Sequence, residues 1–161
     1  MNFGQYANET YQTALSHGHN LGVFASSDHI SQHASYGGVF CKDFTREGII
    51  EAMDNRRTIA ATDKIYLNFT CNDKPLGSIF ETTENAKLWF KVDGTAAFRR
   101  ITIVRNEKDW KNFGIFTGTT FEETVTDEDM LAGENRYYVR VVQRDGNMAW
   151  SSPVWVTKKN P

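Results

Sequence analysis

An aspartate and two histidines, Asp28, His29 and His33, lie within six residues of one another in this 161-residue chain. A carboxylate and two imidazoles are side chains that bind divalent zinc, manganese or iron. These three residues are therefore a candidate metal site. Their spacing is not specific, and on spacing alone an aspartate that caps a turn beside two solvated histidines is the more common arrangement.

The elements around these residues predict an α/β arrangement. The apolar run at residues 21–25 predicts a strand buried on both faces, as in a parallel sheet. Polar residues at the carboxyl end of such a strand are where α/β enzymes place their chemistry. Helices are predicted from near residue 6 to Ser16 and from Thr45, a good N-cap, to Arg57.

One strand cannot form a sheet, so this helix–strand–loop–helix piece cannot bury its apolar surface alone. It must pack on the rest of the chain, pack on another chain, or be the end of a larger α/β domain. We favour the last interpretation.

From Lys64 onward the hydrophobic period changes to two, which is typical of half-buried strands. Turn signals such as Asp93-Gly94 and Asp145-Gly146 separate the runs. This pattern predicts an immunoglobulin-like antiparallel β-sandwich, α+β overall when the first part is included. Its expected strands lie near residues 65–71, 88–92, 98–105, 113–117, 120–126, 136–144 and 153–157.

Composition excludes several classes of protein. The 18 Lys and Arg against 20 Asp and Glu give a formal charge of −2, so we expect no nucleic-acid partner. No apolar run approaches the roughly 20 residues that cross a bilayer, so we expect no membrane span. Residues 1–20 are polar, and no signal peptide is expected. Cys41 and Cys71 are too few for a disulfide framework and fit no zinc spacing.

Other catalytic signatures are missing from the sequence. It contains no Gly-x-Ser-x-Gly elbow, no GxGxxG motif and no P-loop. Its four tryptophans would suit either a flat sugar-stacking platform or the packing of the sandwich, and packing is the more common use. They are Trp89, Trp110, Trp150 and Trp155.

Residues 21–36, LGVFASSDHISQHASY, resemble the last metal-binding segment of the PHP metallohydrolases, the polymerase and histidinol phosphatase superfamily. Residues 45–52, TREGIIEA, and 56–63, RRTIAATD, extend the resemblance to a bacterial branch in which a PHP-like β/α barrel runs into a β-sandwich. The resemblance implies a barrel fragment at residues 1–63 and a β-sandwich domain at residues 64–161. It also implies phosphoester hydrolysis by a metal-activated hydroxide.

Only the late metal ligands of that family have counterparts here. Asp28 matches the late aspartate, but Ile30 stands where the family usually has histidine, so His29 or His33 must substitute. With the early ligands missing, the divalent ion would be held fully only in the complete protein, with partial or no occupancy in this chain. We therefore expect an inactive C-terminal part of a hydrolase. Its expected partner is the missing N-terminal barrel portion, or a second copy bound through residues 1–63.

The alternative is a non-catalytic β-sandwich that binds a saccharide or a partner within the same protein, or that serves as a structural support. A row of two or more exposed aromatic rings on one face would favour sugar binding, whereas buried tryptophans would count against it. The sequence is compatible with the cytoplasm or the periplasm of a bacterium.

Overall fold

The computed structural model describes residues 11–27, 34–114 and 116–159. These residues form two facing β-sheets and two short helices, α1 (Tyr11–Ser16) and α2 (Arg46–Asp54). No helix in these ranges is long and apolar enough to cross a membrane. The strands are β1 (Tyr36–Val39), β2 (Thr58–Ala61), β3 (Tyr66–Cys71), β4 (Lys74–Pro75), β5 (Ile79–Thr82), β6 (Ala86–Asp93), β7 (Phe98–Arg105), β8 (Lys108–Phe113), β9 (Thr120–Asp127), β10 (Gly133–Gln143), β11 (Met148–Ser151) and β12 (Val154–Lys158).

The smaller sheet has the order β4-β3-β6-β9, and all its pairs are antiparallel. Strand β6 shows why it forms. Leu88, Phe90 and Val92 are fully buried, while Lys87 is exposed and Trp89 is half-buried. Because side chains alternate between the faces of a strand, this sequence places one apolar face against the other sheet.

The larger sheet is built around the long strand β10. One edge of β10 pairs with β7, which in turn pairs with β8. The other edge pairs with β12 in its first half and with β11 in its second half. Strands β2 and β1 continue from β11, and β5 pairs with β12 in parallel. The result is an eight-stranded sheet whose edges include β8 and β1.

Two apolar clusters hold the layers together. The main core lies between the sheets and includes Leu67 and Phe90 of the smaller sheet and Val139 of the larger one. A second cluster lies on the outer face of the larger sheet, where Leu15 of α1 is fully buried. Its other buried members are Val104, Tyr138 and Trp155. The N-terminal segment therefore covers part of the outer face of this sheet.

The predicted β-sandwich is confirmed. Strands predicted near residues 65–71, 98–105 and 120–126 are β3, β7 and β9. The strand predicted at residues 113–117 is wrong, because β8 ends at Phe113. Asp145-Gly146 does turn the chain back from β10, but the next strand is β11, which comes before β12.

The predicted PHP-like barrel fragment is wrong. A β/α barrel is built from parallel strands connected through helices. Here α2 connects β1 to β2, but these two strands pair antiparallel as neighbours, with Gly38 opposite Ile59. Residues 21–25, the predicted buried strand, form no strand, and Leu21 and Phe24 are about half exposed.

The boundary between residues 63 and 64 stays a prediction. On its N-terminal side, β2 pairs with β11 through Ala61 and Ala149, and Ile59 belongs to the main core. The edge of the larger sheet therefore contains residues from both sides of that boundary.

Candidate functional site

The predicted metal ligands Asp28, His29 and His33 lie outside the described residues, so this site and its divalent ion stay predictions. Next to that segment, the backbone N–H of Ser35 donates a hydrogen bond to Oγ of Ser27 over 2.8 Å. Within the described ranges, no group of three or more His, Cys, Asp or Glu side chains is arranged to hold a metal ion.

A groove of about 770 Å³ lies between the chain entering α2 and strands β3 and β4. We call it the α2 groove. The loop after β1 and the first turns of α2 form one wall, while outward side chains of β3 form the other. It is lined by Phe40, Cys41, Lys42, Asp43, Thr45, Glu47, Gly48, Glu51, Arg57, Asn68, Thr70, Pro75 and Leu76.

Local interactions hold the α2 wall of this groove in place. Thr45 is the N-cap of α2, as predicted, and its hydroxyl accepts a hydrogen bond from the Gly48 N–H over 3.0 Å. Arg57, which follows α2, forms an ion pair with Glu51 in the second half of the helix. The groove is therefore lined by the carboxylate of Glu51 and the guanidinium of Arg57 as well as by the aromatic ring of Phe40.

The two cysteines occupy contrasting environments. Cys41 lines the α2 groove and is half-buried, whereas Cys71 is fully buried in the main core. Burial raises the pKa of the Cys71 thiol to about 12. Because the thiolate is the reactive form, Cys71 is both shielded and protonated at neutral pH.

We expect one thiol of the native protein to react quickly with an aromatic disulfide reagent near neutral pH, and the second to react only after denaturation. The fast thiol should disappear in the Cys41→Ser variant and persist in Cys71→Ala. Two fast thiols in the native protein would contradict the burial of Cys71. Because Cys41 lines the α2 groove, its rate of reaction also measures access to the groove.

An exposed apolar surface lies beside the groove, which we call the α2 surface. It consists of Phe44, Ile50 and Met53, whose exposed fractions are 92%, 47% and 45%. Ile50 and Met53 are three residues apart on α2 and share one helix face. Of the residues of α2 only Ala52 is fully buried, so the helix lies on the sandwich with much of its apolar surface uncovered.

The outer face of the smaller sheet carries two aromatic side chains. Tyr66 of β3 is 44% exposed, and its ring centroid lies 5.9 Å from that of Phe40. Trp89 of β6 is half-buried, and its indole N–H donates to Oε1 of Glu122 over 2.9 Å. Trp155, in contrast, is fully buried, and Trp110 packs edge-on against Tyr137.

The sequence did contain a signal for these two outward rings. Leu88 and Phe90 alternate with Trp89, so a core position for the first two places Trp89 on the opposite face. The same argument places Tyr66 opposite Leu67. The α2 groove had no such signal, because its walls come from segments that are distant in sequence.

Three chlamydial proteins are similar to this chain, and each is described as uncharacterised. The protein of Chlamydia trachomatis is 32% identical over 151 residues, covering 83% of this chain and 24% of its own length. That of Chlamydia muridarum is 30% identical with the same coverage, and that of Chlamydia pneumoniae is 32% identical over 135 residues. The chain thus spans about a quarter of the length of these relatives.

Two solved structures share part of the fold. Fibronectin(III)-like modules of Clostridium thermocellum CbhA match with a TM-score of 0.40 and 16% identity, covering 58% of this chain and 99% of theirs. A CARDB domain from Pyrococcus furiosus, solved with di-metal ions, also has a TM-score of 0.40, with 14% identity, 60% coverage of this chain and 94% of its own. Likenesses of this strength carry no functional argument.

No protein-family model matches the chain. The resemblance to PHP metallohydrolases is wrong, because the described residues form a β-sandwich in which β1 and β2 pair antiparallel.

Proposed function

We propose that this chain is a non-catalytic β-sandwich module that mediates protein–protein contact, and that its α2 surface pairs with the same surface of a second copy. The observation that carries the proposal is the exposure of Phe44 at 92%, next to two further exposed apolar side chains. Apolar side chains left exposed on one short segment of a folded module are typical of an interaction site.

The charges around the α2 surface support pairing between identical copies. Lys42 and Arg46 are exposed beside it, and so are three acidic residues, Asp43, Glu47 and Asp54. In a two-fold dimer the patch of one copy contacts the same patch of the other copy. A patch with both signs of charge can therefore place its positive residues opposite negative residues of the second copy. The formal charge of −2 leaves little repulsion between two copies.

The anatomy of the surface also fits a contact region. Aromatic and methionine side chains are enriched at the centres of interfaces, with charged residues at the rim. Phe44 and Met53 are exposed side chains of this kind, and the five charged residues are exposed in the same segment, residues 42–54. Phe44 precedes the N-cap Thr45, so its position is fixed by the capped start of α2.

We expect Phe44→Ser to weaken self-association at least about tenfold, because each two-fold interface loses two aromatic side chains. The measurement is solution mass by sedimentation equilibrium over a wide range of protein concentration. Leu131→Ser is the matched control, since Leu131 is 57% exposed but lies beside the β7–β8 turn. It should leave the association unchanged.

A wild-type chain that stays monomeric at every concentration would overturn the proposed pairing. So would a dimer that Phe44→Ser and Leu131→Ser affect equally. Neither substitution removes a core contact, because both side chains are mainly exposed, so a change in mass can be separated from unfolding.

A further inference from the structure

The outer face of the smaller sheet carries aromatic and polar side chains. We call it the β3–β6–β9 face, after the strands that supply its outward side chains. Its ring-bearing residues are Tyr66 and Trp89, and polar side chains occupy the positions between and beside them. These polar residues are Asn68, Thr70, Lys91 and Glu122.

Trp89 is held across the face in a fixed orientation. Thr124 of β9 lies directly opposite Trp89. The indole N–H of Trp89 donates instead to Glu122, which precedes Thr124 by two residues in β9. The indole therefore extends diagonally from β6 over β9, with part of its surface in solvent. Its single polar group is satisfied, so the remaining exposed surface is apolar.

The register places the second ring at a defined distance from the first. Tyr66 lies opposite Asp93, whereas Trp89 lies opposite Thr70. The two rings are therefore offset by four residues, about 13 Å along the strands. Asn68 lies between them along β3, and Thr70 lies directly opposite Trp89. Both residues also line the α2 groove, so the face and the groove are continuous.

At Phe69 the edge of β3 offers no free backbone group to a peptide that would add a strand. The Phe69 N–H donates to the Asn68 side chain over 2.8 Å, and its carbonyl accepts from the Leu76 N–H over 3.0 Å. Strand addition requires free backbone groups of this kind. The mixed charges of Lys91 and Glu122 likewise give no field of one sign to attract a nucleic acid.

We propose that the β3–β6–β9 face binds a neutral oligosaccharide chain, with sugar rings stacked on Trp89 and Tyr66. A pyranose ring has an apolar C–H face that packs on an aromatic ring, and hydroxyl groups at its rim that need hydrogen-bond partners. Asn68 and Thr70 provide such partners on β3, beside the rings. The two rings lie on β3 and β6 and not on α2, so the proposal does not rest on the proposed pairing through the α2 surface.

Affinity electrophoresis in gels containing hydroxyethylcellulose, galactomannan or soluble starch tests this proposal. At least one of these neutral polysaccharides should retard the wild-type chain. Trp89→Ala should lose at least about tenfold in affinity, because the indole supplies the larger of the two aromatic stacking surfaces. Tyr66→Ala should weaken binding as well.

Phe24→Ala is the control for the loss of an exposed aromatic ring elsewhere, because Phe24 is 54% exposed and lies against Gly37 of β1 in the larger sheet. Its retardation should equal that of the wild type. Thermal unfolding of each variant establishes that it is folded, and Tyr66→Ala remains informative if Trp89→Ala is not. Unchanged mobility of the wild type in all three gels would overturn the proposal. Retardation that persists in folded Trp89→Ala and Tyr66→Ala would overturn it too.

Discussion

Replacing Asp127 with alanine should lower the free energy of unfolding by about 3 kcal/mol, because it leaves two polar partners without the carboxylate that they share. Asp127 ends β9 and is 1% exposed. Nη1 of Arg105 lies 2.9 and 2.7 Å from its two oxygens, and the Tyr137 hydroxyl donates to it over 2.7 Å.

This network connects the two sheets. Asp127 belongs to the smaller sheet, whereas Arg105 and Tyr137 belong to neighbouring strands of the larger one. Burial opposes the charge of Arg105, but the hydrogen bond and charge of Asp127 outweigh it and raise the pKa of the guanidinium. Burial, and then the hydrogen bond to Asp127, raise the pKa of the Tyr137 hydroxyl, so it stays a donor at neutral pH.

Urea denaturation of Asp127→Ala and Asp127→Asn measures the effect. Asparagine keeps an acceptor for Tyr137 but loses the charge, so its loss should be smaller. Asp109→Ala is the matched control, because Asp109 also forms a bidentate contact, with Arg140, but its side chain is 39% exposed. An exposed pair contributes at most about 1 kcal/mol. Equal losses for Asp127→Ala and Asp109→Ala would contradict the burial argument.

Gly77→Ala should cost at least about 2 kcal/mol, for two separate reasons. Gly77 has a φ of 86°, which L side chains rarely adopt. A Cβ there would also collide with two backbone atoms. These are the carbonyl oxygen of Asn55 and the carbonyl carbon of Arg56, and the latter would lie 2.6 Å from the Cβ. Backbone atoms cannot move aside as a flexible side chain can.

Gly146→Ala is the control that isolates the first reason. Gly146 has a φ of 90°, but a Cβ there would meet nothing within 4 Å. It should cost only about 1 kcal/mol of backbone strain. Urea midpoints of the two variants give the difference, which measures how closely the turn after α2 packs on the sandwich. If Gly77→Ala is no less stable than Gly146→Ala, that close packing does not exist in solution.

The strands that could be predicted from the sequence are those with a local signal. Alternation of apolar and polar side chains defines β3 and β6, because each strand has one face in the core and one in solvent. The same alternation placed Trp89 outward. The hydroxyl of Thr45 marked the start of α2 for a similarly local reason, since a cap bonds within its own first turn.

The strands that the sequence pattern did not predict form because they pair with neighbouring strands. Strand β1 contains Gly37 and Gly38, which have no side chains to alternate, and it is extended because it pairs with β2. Strand β8 is mostly polar and exposed and lies at a sheet edge, where charged residues discourage further pairing.

The apolar run at residues 21–25 matches the pattern of a buried strand but forms no strand in the structure. Such a run is compatible with a buried strand, but nothing in it specifies a neighbouring strand. In the structure the Val23 N–H donates to the Ser152 hydroxyl over 3.0 Å, and Gly22 lies against Arg56 and Ser152. The segment passes over the larger sheet without joining it. The resemblance to PHP enzymes was wrong for the same reason, since a short similar segment does not determine strand direction.

The sequence by itself therefore determined the strands with clear apolar–polar alternation, such as β3 and β6, and which of their side chains face inward. It also supplied Asp28, His29 and His33 as a candidate metal site, which stays a prediction. Only the tertiary structure decided that Asp127 joins the two sheets, that a groove lies beside α2, and that Tyr66 and Trp89 share one face. The physical reason is that these features depend on contacts between residues far apart in the chain, whereas periodicity and capping report only interactions within a few residues.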